Sequence, residues 1–350
     1  MKVAVISTGV FKVPCTGYAG LEHLAWQIAR GLAEKGHEVT LMAPEGSYCP
    51  NVSMFFIGPE RTWDESRAYD SYWRTLPSFD VIIDHTWSKF SYLLKMEGAL
   101  KSPVLGVMHA PVNTMIQSLP PNVEKPCFVC ISKDQKNHFE ALFNAEARVA
   151  YNGVDLDFYR NTGCRRSHRF LFLARFSTIK APDIAIEVAR KSDVGLDLIG
   201  DTSITNEPEL YNKCKGACDG EKIRMVGPKT RGECVHWFSK SFALLHPNQR
   251  FREPFGLAPV EAMACGTPVI AWKYGAMKET VGEGISGYLC KSVSEMVERV
   301  KAVQENFDIR SEVGIRNRVR CVDWVSQFSL QRMIDRYDKL IREAVDAGGW

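Results

Sequence analysis

No run of apolar residues in this sequence approaches the roughly 20 that a membrane-crossing helix requires, which excludes a helical bilayer span. No charge of either sign dominates: 44 Lys and Arg stand against 41 Asp and Glu, a net of +3 over 350 residues. Such a chain lacks the basic excess that marks nucleic-acid or acidic-membrane binders. The opening Met1-Lys2-Val3-Ala4-Val5-Ile6 lacks the basic-then-apolar order of a targeting segment and reads as a strand, so a cytoplasmic protein is expected. Cysteine is not scarce, at eleven, but paired metal-ligand spacing is. Cys127-Phe128-Val129-Cys130 lies inside an apolar run with no second pair after it, and Cys214 and Cys218 stand four apart on an expected helix. An odd, scattered set fits a reducing compartment and buried small side chains, with no metal site and no disulfide framework.

A dinucleotide fingerprint is missing too. After the first strand the chain runs Ser7-Thr8-Gly9 through Gly17-Tyr18-Ala19-Gly20 and into a helix. This glycine-rich loop could let the backbone approach a phosphate, yet it is not G-x-G-x-x-G. The next strand ends in Met42-Ala43-Pro44, with no acid where a dinucleotide ribose needs one. A nicotinamide enzyme is therefore not expected.

What is present is alternation. Strand candidates are Val3–Ser7, Val39–Ala43, Val52–Ile57, Val81–Asp84, Val104–His109, Cys127–Ile131 and Arg148–Tyr151, then Phe170–Ala174, Leu196–Ile199, Ile223–Val226, Ala243–Leu245, Val269–Trp272 and Tyr288–Cys290. Helical patterns separate them, clearest at Leu21–Lys35, which Gly36 ends. Continuous apolar strands between helices predict parallel sheets covered on both faces. The polar stretch Asn152 to His168 splits the series, giving an α/β protein of two doubly wound, Rossmann-like domains facing a central cleft. Their expected extents are 1–160 and 165–325, with a last helix near 327–347 crossing back to brace the first. An aromatic-rich stretch (Trp63, Tyr69, Tyr72, Trp73) reads first as a helix packed on the sheet and second as an acceptor pocket.

The most informative segment is Glu253-Pro254-Phe255-Gly256-Leu257-Ala258-Pro259-Val260-Glu261. It joins an apolar run to a helix, with one acid before the helix start and another one to two turns inside. A helix start bares unpaired N–H groups at the positive end of a dipole and favours an anion. Two acids beside it suit the hydroxyls of the same ligand, so phosphate plus polyol points to a nucleotide or nucleotide-sugar. On spacing alone they equally suit a helix-terminal charge and a solvated face. Arg175 and Lys180, five residues apart after the strand Phe170–Ala174, shift the balance: two cations at a strand carboxyl end are placed to clamp a diphosphate.

With these residues in view the chain resembles a family 4 glycosyltransferase of the GT-B fold over nearly its whole length. Tyr18-Ala19-Gly20 and Lys35-Gly36-His37-Glu38-Val39-Thr40-Leu41 match the family's opening; His109-Ala110, Ile131-Ser132, Asn152-Gly153-Val154-Asp155, Ala174-Arg175 and Lys180-Ala181 match later motifs. Glu253 to Ala271 carries the most specific one. The resemblance implies a metal-independent transferase, working with retention on a nucleoside-diphosphate-sugar as substrate, with no cofactor. It implies that Glu253 meets donor-sugar hydroxyls, Glu261 the ribose, and Arg175 and Lys180 the leaving diphosphate. Backbone around Phe255, Gly256 and Leu257 would meet phosphate oxygens, His109 would face the donor sugar, and Gly20 would approach the diphosphate or acceptor. Base recognition is placed around Gly227-Pro228-Lys229. The acceptor is left open between a glycan, a small molecule and, less favoured, a nucleobase. Departures are alanines for glycines at 19, 110, 174 and 181. Asp155-Leu156-Asp157 looks like a metal-binding D-x-D but matches the family's hinge. The alternatives are a catalytically silent nucleotide-sugar-binding subunit and an epimerase or phosphorylase of the same fold.

Overall fold

Each apolar run expected as a strand is one in the computed structural model, which describes the chain except residues 16, 18, 19, 116–125, 144 and 203. The chain divides into two compact units, Met1–Gly153 with Leu330–Trp350, and Val154–Ser329. The division falls after Gly153 rather than near 160. The first unit holds β1 (Lys2–Ile6), α1 (Gly20–Glu34), β2 (Glu38–Ala43), β3 (Ser53–Phe56), α2 (Glu65–Tyr72), β4 (Val81–Asp84) and α3 (Ser91–Met96). It continues with β5 (Val104–Met108), α4 (Val112–Met115), β6 (Phe128–Cys130), α5 (Lys133–Phe143) and β7 (Ala147–Val149).

The second unit holds β8 (Phe170–Leu173), α6 (Pro182–Lys191), β9 (Leu196–Ile199), α7 (Pro208–Gly216), β10 (Ile223–Met225), α8 (Arg231–Lys240) and β11 (Leu244–His246). After these come α9 (Leu257–Ala264), β12 (Val269–Trp272), α10 (Met277–Thr280), β13 (Gly287–Cys290), α11 (Val293–Asn306) and α12 (Glu312–Val325), before α13 (Leu330–Ala347) returns to the first unit. That helix starts three residues later than expected, because 326–328 form a 3₁₀ turn.

Among the described residues the first sheet has the order β3-β2-β1-β4-β5-β6-β7 and the second β10-β9-β8-β11-β12-β13, with every pairing parallel. Parallel strands need crossover helices, and these cover both faces, so central strands such as Val3–Ile6 and Val81–Asp84 are fully buried. In each sheet the winding reverses once: between β1 and β4, and between β8 and β11. The carboxyl ends flanking such a reversal splay apart and leave a crevice where ligands bind in this architecture.

Two details fix the first unit. The α13 stripe Met333, Ile334, Tyr337, Leu340, Ile341 and Ala344 is buried at helical spacing. A Cβ on Gly31 of α1 would lie 2.5 Å from Ile334 Cγ1, so only glycine lets these helices approach so closely. Lys35 and His37 then pair with Asp335 (2.7 Å) and Asp338 (2.8 Å). Tyr72 is buried in the core beneath α2 with Tyr69 and Trp73 against it, whereas Trp63 is exposed.

In the second unit Arg166 and Arg318 are buried and spend their guanidinium N–H groups on oxygens. Arg166 donates to the Ser241 and Cys265 carbonyls and to Thr267 Oγ1; Arg318 donates to the carbonyls of Phe307, Gly266 and Phe242. Asp155 Oδ1 accepts from the Asp157 and Phe158 N–H groups at 3.0 Å, so the D-x-D stretch is a turn held by its own first acid. Cys127 and Cys130 are buried, and α7 stops at Gly216, leaving Cys218 beyond the helix that carries Cys214.

Candidate active site

The second unit's reversal point brings together what the sequence holds far apart. Glu253 follows β11 and Lys180 follows β8, the neighbouring strand, and Lys180 Nζ lies 2.5 Å from Glu253 Oε2. Asn248 Nδ2 donates to the same oxygen at 2.6 Å, and His246 Nε2 stands 3.7 Å from it. Glu253 is 7% exposed. Burial alone would push its carboxyl up, but the Lys180 ammonium and His246 outweigh that and hold it at about 2. Lys180 also lies 4.8 Å from the centre of the Phe251 ring. The result is a buried carboxylate that favours its ionised form, with Oε2 engaged by Lys180 and Asn248.

Three residues on, Gly256 takes φ +85° as the N-terminal cap of α9. A side chain there would be strained, and its Cβ would meet Met277 Cε at 2.4 Å. This sharp entry bares the first N–H groups of α9 beside Phe255 and Leu257. Glu261, on the same helix, is 8% exposed, lies 3.5 Å from Arg231 Nη2 and stands in the electrostatic field of Tyr159. Burial followed by the Glu261 charge drives the Tyr159 hydroxyl well above its ordinary pKa, so it stays a donor.

The other expected residues stand apart from this group. Arg175 does not join Glu253, and its buried Nε meets no acceptor among the described residues. Gly227, at φ +81°, turns the β10–α8 loop and its carbonyl accepts from Gly200 at 3.4 Å; Lys229 Nζ lies 3.8 Å from Glu233. Of the alanine-for-glycine positions, Ala181 holds the left-handed φ of +53° that glycine would adopt freely, and position 19 lies outside the described residues, as does Tyr18.

In the first unit Gly20 opens α1, and Thr8 Oγ1 donates to the buried Glu22 at 2.5 Å, tying the β1 loop to that helix. His109 directly follows β5 and is partly exposed; its Nε2 lies 2.8 Å from Nδ1 of the buried His85 after β4. Sequence reasoning missed His246, Asn248, Arg231 and His85. Their signal was weak: polar side chains at the ends of apolar strands, or on a distant helix, whose relevance depends on strand order.

This geometry can be set beside known proteins. Residues 18–158 match the model for "Glycosyltransferase Family 4" and residues 165–320 the model for "Glycosyl transferases group 1". The chain belongs to the family 4 glycosyltransferases. Family membership extends over both compact units, since each model falls almost wholly within one of them. An uncharacterized glycosyltransferase of Methanocaldococcus jannaschii is 28% identical over 221 residues, 62% of this chain and 60% of that one. The match spans about half the length of the curated relatives. Among solved structures, sucrose-phosphate synthase from Thermosynechococcus elongatus superposes with a TM-score of 0.80 at 16% identity, covering 99% of both chains. Anabaena HepE in complex with UDP and glucose superposes at 0.76 and 16% identity, covering 98% of this chain and 99% of that one. The fold is that of the GT-B glycosyltransferases. Among the described residues no helix is long and apolar enough to cross a membrane.

Proposed function

We propose that the protein transfers a sugar from a nucleoside-diphosphate donor to an acceptor hydroxyl, with retention of configuration and without a metal. The observation that carries this reading is the Lys180–Glu253–Asn248 group beside the glycine-capped start of α9. A carboxylate fixed in its ionised form cannot be a phosphate ligand; it is an acceptor for hydroxyls of the donor sugar. Glu261, backed by Tyr159 and Arg231, supplies a second acceptor suited to ribose. We assign to the N–H groups at the start of α9 and to Lys180 the charge that grows on the diphosphate as the anomeric C–O bond breaks and its electrons pass to the leaving oxygen. Arg175, which stands apart from Glu253 with its Nε unspent among the described residues, is the second cation. Fixed positive groups of the chain thus do the work that a divalent ion does elsewhere. The UDP and glucose named with HepE favour a uridine nucleotide as the first donor to try.

The test is a panel of nucleoside-diphosphate-sugars, scored for thermal stabilisation and slow hydrolysis, with the anomer of any product read by NMR. Glu253→Ala is expected to lower transfer by at least about a hundredfold while nucleoside-diphosphate binding survives, in line with loss of one transition-state contact. Loss of nucleotide binding would remove the sugar contact from Glu253. Inhibition by a chelator would overturn the metal-free reading, and hydrolysis of no donor would favour a silent binding subunit.

A further inference from the structure

The carboxyl ends of β4 and β5 carry two imidazoles in direct contact. His85 Nδ1 and His109 Nε2 are 2.8 Å apart, with the rings stacked at 5.1 Å between centroids and an interplanar angle of 28°. One nitrogen of this contact must carry the hydrogen and the other must accept it. His85 is 0% exposed, and its Nε2 is buried with no partner among the described residues. If His109 were the donor, neutral His85 would hold its proton on Nε2, burying an N–H with nothing to receive it. That is the arrangement folded proteins avoid most strictly. If His85 is the donor, its orphan nitrogen is a bare lone pair, and the proton of neutral His109 must sit on Nδ1. Among the described residues no protein group engages His109 Nδ1.

The surroundings disfavour a charge on either ring. Lys89 is fully buried nearby, anchored on the Thr86 carbonyl, with Asp84 and Glu65 as the acids in its field. Asp84 is itself occupied by Thr86 and Ser91, and Glu65 accepts the N–H groups of Trp87 and Ser88. From α13 the Tyr337 ring stands 6.5 Å from His85. Among the described residues no acid pairs with either histidine. Burial first, and the Lys89 charge second, push His109 down to about 3; burial, then His109 and Lys89, push His85 well below its ordinary value.

We propose that His85 is a positioning residue: it donates Nδ1–H to His109 Nε2 and so fixes His109 as the ring protonated on Nδ1, a hydrogen-bond donor to an oxygen of the donor sugar. In this role His109 is neither a base nor a cation. The proposal rests on the glycosyltransferase reading for the sugar, but not for the tautomer.

Long-range 1H–15N NMR on the labelled full-length protein tests it, with the His109 signals among eight histidines assigned by their loss in His109→Gln. The expected result is a protonated Nδ1 and a bare Nε2 on His109; a protonated Nε2 overturns the proposal. His85→Leu removes the donor, and a His109 signal moving toward Nε2–H is expected, with kcat lower by about tenfold and nucleotide affinity unchanged. His85→Asn places an amide N–H where Nδ1 stood and is expected to restore both the tautomer and most of kcat. An unchanged His109 tautomer in a folded His85→Leu protein overturns the proposal, as does equal loss in His85→Leu and His85→Asn with the tautomer intact in both. If no sugar transfer is found at all, the function reading fails while the NMR result still decides the tautomer.

Discussion

At the residue scale the informative pair is Lys180 and Glu253. Sequence reasoning placed Lys180 on the leaving diphosphate; the structure pairs it with the acid expected to hold the sugar. Both side chains are largely buried, so Lys180 holds Glu253 in the resting protein as well as taking the part proposed for it on the diphosphate. The folded pKa of Glu253 lies below its usual value, so its contribution to stability is present above the ordinary carboxylate range and is lost as pH falls through about 2. Removing one partner of a buried pair leaves an uncompensated charge, at a cost of about 3–5 kcal/mol. Lys180→Ala is therefore expected to lower turnover strongly at saturating donor and also to shift the urea midpoint down. The double change Lys180→Met with Glu253→Gln is expected to recover most of the stability and none of the turnover. Near-normal turnover in Lys180→Ala would take this residue out of the leaving-group clamp.

At the element scale, what could be read in the sequence was what is local. Strands buried on both faces must be continuously apolar, and Val81–Asp84, Leu196–Ile199 and Val269–Trp272 were placed to the residue. Glu253, Gly256 and Glu261 were legible because one loop and one helix carry all three. Lys180 was legible as a cation after β8, but its direct pairing with Glu253 was not, because it lies 73 residues before Glu253 and meets it through the adjacency of β8 and β11. His85 and His109 likewise meet because β4 lies beside β5. The start of α6 shows a local cost that the sequence did signal, as an alanine where the family has glycine. Ala181 caps that helix at φ +53°, ψ +53°, where an L-residue loses about 1–2 kcal/mol. Glycine gives back part of this through its flexible unfolded chain, about 0.5–1 kcal/mol. Ala181→Gly is thus expected to be neutral to stabilising by up to about 1 kcal/mol in chemical denaturation, with Lys180 still ordered and turnover retained. A loss beyond 1 kcal/mol would show that packing of the buried methyl governs this cap.

At the scale of the whole molecule, the chain crosses between units twice, after Gly153 and after Ser329, and the second crossing returns α13 to a unit whose other elements ended about half a chain earlier. A last helix bracing the first domain was expected from its distance beyond the final strand. How much it carries comes from the structure: five large apolar or aromatic side chains of α13 are buried, and one of them, Ile334, sits against Gly31 of α1. At about 1.5–3 kcal/mol for each buried side chain, their sum rivals the roughly 5–15 kcal/mol that holds a whole domain together. The sheet of the second unit, the Arg166 and Arg318 anchors and the Glu253 group all lie within 154–329. A chain ending at 329 should therefore lose the cooperative unfolding of its first unit while the second keeps its own. Residues 154–329 alone should give a single calorimetric transition and a nucleoside diphosphate that raises its midpoint. If the chain ending at 329 instead melts like the full-length protein, the α1–α13 contact is an accessory and not what completes the first unit.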